Sequence, residues 1–234
     1  MDYAAFLGLI KARRSIHRFK PDPVPAEYVD KIIEAARWAP SGGNIQPWEF
    51  IVVSKPELKN RITQLYQEHM ALAYRMELTR EPAWRFPPMA KPLKEPLDLA
   101  GAPLFIILCG DPRTNAARPL SVELEATSVF DSNLASAFLY MHLAATSLGL
   151  GSRWVSPVSN PYLQVQIKHL LGIPDELKVY DMMAVGFAAL VPKPRLVRAR
   201  DEMVHHDRFD RTKFRTPDQI RDFIARLYAW RREA

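Results

Sequence analysis

Trp38-Ala39-Pro40-Ser41-Gly42-Gly43-Asn44-Ile45-Gln46-Pro47-Trp48-Glu49 is the stretch around which this 234-residue chain is organised. An amphipathic run, Glu27 to Arg37, enters it and the apolar run Phe50-Ile51-Val52-Val53 leaves it. That order reads as helix, tight loop, buried strand. Pro40 stops the helix, Gly42 and Gly43 supply backbone freedom, and Pro47 sets the entry to the strand. Between them stand Ser41, Asn44 and Gln46, three uncharged hydrogen-bonding side chains on a stiffened loop. Such a loop is either a plain connection or a seat for a flat, polar-edged ligand, which suits it better than a metal or a nucleophile.

Upstream, residues 2–12 carry Phe6, Leu7, Leu9 and Ile10 at helical spacing, and Arg13-Arg14-Ser15-Ile16-His17-Arg18-Phe19 follows. Guanidinium forks around a hydroxyl can hold a phosphate. The same residues can equally form a solvated basic patch at a helix C-terminus. Pro21, Pro23 and Pro25 extend the chain, and Pro25 suits the first turn of the next helix. Downstream, Lys55–Tyr74 reads as a helix striped by Leu58, Ile62 and Leu65. Residues 75–98 form a proline-rich insert whose Trp84, Phe86 and Met89 suggest a lid over a pocket.

Leu104–Cys109 is a second buried strand, and 120–148 a long helix apolar on most sides, suited to a monomer core or a dimer core. Gly149 ends it. Arg153-Trp154-Val155 reads as a short strand, Tyr162–Leu171 as a helix and Tyr180–Leu190 as the third buried strand. Lys193, Arg195, Arg198 and Arg200 form a second cationic cluster; 201–215 is polar and irregular, and 217–230 a final amphipathic helix. With no repeat or linker, residues 1–234 read as a single α+β domain.

Charge and composition exclude more than they assign. A net charge of +6 fits an anionic ligand or simple solubility, and without the aromatic motifs of a nucleic-acid module it is no argument for RNA or DNA. One cysteine, Cys109, rules out an internal disulfide and a cysteine-rich zinc site, and points to a reducing cytoplasm. No apolar run is long enough to span a bilayer. Phosphate-loop, dinucleotide and serine-hydrolase motifs are absent, His205-His206 lies on a polar tail, and His142 sits on the apolar helix as a core residue. Two cationic clusters, a rigid neutral loop and a large apolar helix suit a phosphorylated, ring-bearing cofactor that brings its own reactivity.

The motifs Arg13–Phe19, Ala39–Phe50 and Leu148–Ser152, in this order and spacing, resemble the FMN-dependent nitroreductase family. The strand and basic residues after 180 extend the match, and only 75–98 falls outside it. The resemblance implies a central, mainly antiparallel sheet flanked by helices in an intertwined homodimer, with two FMN sites lined by both chains. It implies that Arg13 and Ser15 hold the FMN phosphate, with Arg14 nearby, and that Arg195 or Arg198 closes the site. Pro40, Ser41, Gly42, Asn44 and Gln46 would reach the flavin from the partner subunit, and Trp154, Val155 and Ser156 would lie along the ring through backbone groups. His17 stands where the family usually has Arg or Lys, which makes the flavin potential pH-dependent unless Arg18 takes over the charge.

The activity so implied is a ping-pong oxidoreductase using NAD(P)H to reduce nitroaromatics, quinones or related small molecules, with Trp84, Phe86 and Met89 facing substrate. No catalytic side chain and no metal is required. The alternatives are specialised flavin chemistry such as reductive dehalogenation, and FMN storage or sensing without turnover.

Overall fold

A computed structural model describes residues 2–82, 85–91, 97–99, 101–117, 126–190 and 192–232. Among them are helices α1 (Tyr3–Ala12), α2 (Ala26–Arg37), α3 (Pro56–Leu78), α4 (Ala126–Ser147), α5 (Pro161–Leu171) and α6 (Pro217–Arg232). The strands are β1 (Trp48–Val53), β2 (Leu104–Gly110), β3 (Gly151–Val155) and β4 (Lys178–Gly186). They form one antiparallel sheet in the order β1-β2-β4-β3.

The apolar run of β2 is continuous because both faces of the sheet are covered. Phe105, Ile107 and Cys109 pack with Ile62, Leu65 and Tyr66 of α3 and with Leu163 and Ile167 of α5. Leu104, Ile106 and Leu108 pack on the other side with Ile32 of α2 and with Leu134, Phe138 and Met141 of α4. The strand period of two thus sorts one sequence run into two cores. Burial also raises the Cys109 thiol to about 12, as a small core residue should behave.

Two boundaries differ from the sequence reading. The third buried strand runs Lys178–Gly186 rather than Tyr180–Leu190. Beyond Gly186 the chain leaves β4 to pair with the N-terminal strip, where the Lys20 amide donates to the Phe187 carbonyl at 2.8 Å and Ala189 to Arg18 at 3.0 Å. Apolar composition alone could not show that change of partner. The helix expected to end at Tyr74 continues to Leu78, into the proline-rich region, because no proline interrupts it before Pro82. The helix expected over 120–148 is described from Ala126 to Ser147; its predicted first residues lie outside the described ones.

The buried arc of α4 is only part of its circumference. Leu139 and Tyr140 are 45% and 38% exposed, on the side away from the sheet. Helix α1 buries no residue at all, and its Tyr3 and Phe6 face solvent.

Gly151 opens β3 under a tight contact. A Cβ there would lie 2.6 Å from Ile16 Cγ1, so the absence of a side chain lets the Arg13–Phe19 strip close on the sheet edge. Gly151→Ala is expected to cost about 1 kcal/mol of unfolding free energy, measured by urea denaturation. An unchanged midpoint would show that Ile16 yields freely.

Candidate functional site

The Arg13–Phe19 strip runs along the outer edge of β3. Ser15 bridges Ser152 in parallel, and the Ile16 amide donates to the Ser152 carbonyl at 2.9 Å. The Ser152 backbone groups therefore point away from β4. The period of two puts the N–H and C=O of Trp154 on that same outward edge, whereas those of Arg153 and Val155 face β4. Among the described residues no strand pairs with this outward edge of β3 beyond Ser152. The open edge thus offers one amide donor and one carbonyl acceptor at Trp154. The Val155 side chain is buried in the α3 side of the core, and Ser156 is exposed in a 3-10 turn that follows.

At one end of this edge the cations gather. Burial, then the charges of Arg195 and Arg14, lowers the pKa of Arg13; burial, then Arg195, lowers that of Arg14. Arg195 therefore lies near enough to the strip for its charge to act on both arginines. Arg198 is instead committed to Glu202, with its Nε 3.4 Å from the carboxylate and its Nη2 3.1 Å from the carbonyl. Among the described residues no carboxylate pairs with Arg13, Arg14 or Arg195. Three mutually repelling guanidiniums, two of them on the strip that carries Ser15, have the donors and charge that a phosphate monoester requires.

His17 lies further along the strip. Burial, and then the charge of Arg153, lowers its pKa from the usual histidine value. Arg153 was read from sequence only as a strand residue; side-chain alternation along β3 was the available signal, but its neighbours were not. Arg18, the expected substitute cation, lines a cleft together with His17 and Arg153. His17 is expected to be neutral at pH 7 and to gain its proton only at more acidic pH. A side-chain NMR titration with a midpoint at or above 6.5 would contradict this.

Behind β3, Trp154 packs edge-on to Phe138 at 4.5 Å and stacks on His142 at 5.4 Å between centroids. Its Nε1 donates to Asp181 Oδ2 at 2.5 Å. Strand alternation puts Asp181 on the face of Met183, which pairs with Trp154, and a β-bulge adjoins it. Leu108 pairs with Asp181 and Cys109 with Val179, leaving Tyr180 as the extra residue. Burial raises the Asp181 carboxyl to about 6, opposed by the Trp154 bond. His142, expected to be a satisfied core residue, is only half so. Nδ1 bonds Ser152 Oγ at 2.7 Å, while the buried Nε2 has no partner among the described residues. Burial, then Arg13, holds its pKa down to about 3, so the ring is neutral.

The loop Pro40–Gln46 lies elsewhere. Its Gly42 amide donates to Asn133 Oδ1 at 3.0 Å, and Ser41 Oγ accepts from the Gln46 amide at 3.1 Å. Gln46 Nε2 reaches Asn44 Oδ1 at 3.1 Å. Asn44 and Gln46, neither of them glycine, hold φ of 54° and 46°, a strained conformation fixed by these bonds. Asn133 and His142 stand at opposite edges of the α4 buried arc, half a turn around and about 14 Å along the axis. The polar loop and the cationic end of β3 thus occupy separate flanks of one chain.

Of the expected lid residues, Trp84 lies outside the described residues. Phe86 packs edge-on to Tyr228 of α6 at 5.6 Å, and Met89 is half-buried in a 3-10 turn, Pro87–Met89. Tyr74 donates to the Pro88 carbonyl at 3.4 Å, so this part of the insert is tied to α3 and α6. Among the described residues no group of His, Cys, Asp or Glu could hold a metal ion, and no helix is long and apolar enough to cross a membrane.

Against known proteins, the model of the nitroreductase family matches residues 10–187. An Archaeoglobus fulgidus protein, provisionally named an NADH dehydrogenase/NAD(P)H nitroreductase, is 28% identical over 181 residues, 77% of this chain and 84% of that one. Iodotyrosine deiodinase 1 of Rattus norvegicus is 41% identical over 69 residues, only 30% of this chain and 24% of that protein. The structure of an FMN-dependent nitroreductase from Clostridium difficile R20291 superposes with a TM-score of 0.62 at 25% identity, covering 87% of this chain and 99% of that one.

Proposed function

Because the chain belongs to the nitroreductase family, with FMN as cofactor and NAD(P)H as electron donor, we propose that it reduces electron-poor small molecules by a ping-pong cycle. Nitroaromatics and quinones are the proposed acceptors. FMN, when bound, supplies the ring that accepts hydride from the donor and passes it on. The observation that carries this reading is the unpaired cluster of Arg13, Arg14 and Arg195 beside Ser15, at the head of the open β3 edge.

The chain's own work is binding and orientation. Arg13, Arg14 and Arg195, with the Ser15 hydroxyl, neutralise the phosphate. The Trp154 N–H and C=O meet the polar edge of the ring, and the packing of Trp154 on Phe138 and His142 keeps that edge straight. Donor and acceptor use one cleft in turn, so no catalytic side chain has to be invoked. Within one chain the Ser41–Gln46 loop sits on the far flank of α4. We assign it to the site of a second copy, the two copies meeting through the exposed Leu139 and Tyr140 of α4 and through α1.

Purified protein is expected to carry one FMN per chain, to bleach with NAD(P)H without air and to regain its colour with a nitroaromatic. Colourless protein that ignores added FMN overturns the reading. The local similarity to iodotyrosine deiodinase 1 favours reductive dehalogenation as a second reading. Halide release from a halophenol under the same conditions is its test.

A further inference from the structure

We infer that the cleft between His17 and Arg153 binds the carboxylate of the electron acceptor, so that small aromatic acids are the preferred acceptor class. This rests on the flavin-dependent reading above and adds the chemistry of the second substrate.

The basic residues of the N-terminal strip divide between two places. Arg13 and Arg14 join Arg195, and that group is accounted for by the cofactor phosphate. His17 and Arg18 instead join Arg153 around a separate cleft of about 380 Å³, within the range of small-molecule sites. Its walls include the half-buried Phe19, apolar surface on which a ring can lie, while Leu99 and Ala102 back the cleft from the core. Asp98 is the last residue of the proline-rich insert and Leu99 and Ala102 follow it, so the end of the insert helps to shape the cleft.

Arg153 is fixed in place by neutral groups. Its Nη2 donates to Tyr66 Oη at 3.2 Å, its guanidinium carbon lies 5.9 Å from the centre of the Tyr66 ring, and its Nη1 is 3.5 Å from the Asp98 carbonyl oxygen. Among the described residues no carboxylate lies within ion-pair distance of it. Asp98 also lines the cleft, its Oδ2 lying 3.2 Å from where a Cβ on Gly101 would stand. A guanidinium oriented by neutral acceptors retains its charge for an incoming anion, and its planar fork matches a carboxylate. Anchoring the acid at Arg153 leaves the ring of the acceptor to lie towards the open edge of β3.

The test compares nitrobenzene with 4-nitrobenzoate, using FMN-loaded protein and NADPH, in the wild type, Arg153→Gln and Arg153→Lys. Arg153→Gln is expected to lose about tenfold more kcat/KM for the acid than for nitrobenzene, through KM, with Arg153→Lys recovering part of the difference. Calorimetric titration with benzoate, which cannot be reduced, should show the same loss of affinity. Equal losses for both acceptors, or unchanged benzoate affinity in Arg153→Gln, would overturn the inference while leaving the flavin reading intact. Failure of the wild type to take up FMN, with benzoate still bound through Arg153, would have the reverse consequence.

Discussion

Protein carrying Arg13→Ala together with Arg195→Ala is expected to emerge from purification nearly colourless, its affinity for FMN lowered about a hundredfold or more. Each substitution removes a charge-assisted contact worth about 1.5–3 kcal/mol, and every 1.4 kcal/mol is about tenfold in affinity. Titration of FMN fluorescence against each protein is the measurement. The matching control is Arg198→Ala, expected to change affinity by no more than about twofold, because Glu202 already occupies that guanidinium and exposed charge pairs contribute little. Stability separates a binding role from a structural one. Arg13 and Arg195 repel each other in the free protein, so the double variant without FMN should unfold no more easily than the wild type. Wild-type FMN affinity in the double variant would remove the cluster from the site.

The second large effect concerns Asp181. Burial raises its carboxyl from 3.8 to about 6. Between those values the folded protein holds a proton that the unfolded chain has released. The sign follows directly: this contribution is full below pH 4 and is lost as pH rises through about 6. A shift of roughly two units corresponds to about 3 kcal/mol. Asp181→Asn stays neutral at every pH and keeps an oxygen for Trp154 Nε1. It is expected to match the wild type near pH 4 and to exceed it by about 2–3 kcal/mol above pH 7. Urea midpoints at fixed protein concentration, taken from pH 4 to pH 8, decide the matter. Parallel profiles in the two proteins would mean that the buried carboxyl does not govern the difference.

Much of the fold was legible in the linear chain because it depends on local rules. Pro25 before α2, the helical spacing into Arg37, and the short apolar run of β2 each carry their own stereochemistry. Gly149 at φ 75° just beyond α4 is another such signal. The ends of elements were less legible. Residues 187–190 are as apolar as those of β4, yet they leave it because a different partner, the strip around Arg18–Lys20, lies within reach. The bulge at Tyr180 was equally hidden, since it is a mismatch between two strands distant in sequence.

The candidate site divides in the same way. Clustered arginines around Ser15 and the rigid Ser41–Gln46 loop are properties of contiguous residues, and they stand out in the sequence. Whether Arg195 or Arg198 approaches that cluster cannot follow from spacing, because both lie on an irregular segment whose path is set by contacts. The fold selects Arg195 and ties Arg198 to Glu202.

Side-chain identity and short-range periodicity are written residue by residue, so element types, the basic strip and the family likeness could be read without coordinates. Neighbourhood is not written that way. Arg153 beside His17, Asp181 beneath Trp154, and the loop and the arginines on opposite flanks of α4 all arise when segments far apart in the chain pack on one sheet. Burial and Coulomb interactions, which set these charges and pKa values, act over distance in space rather than along the chain.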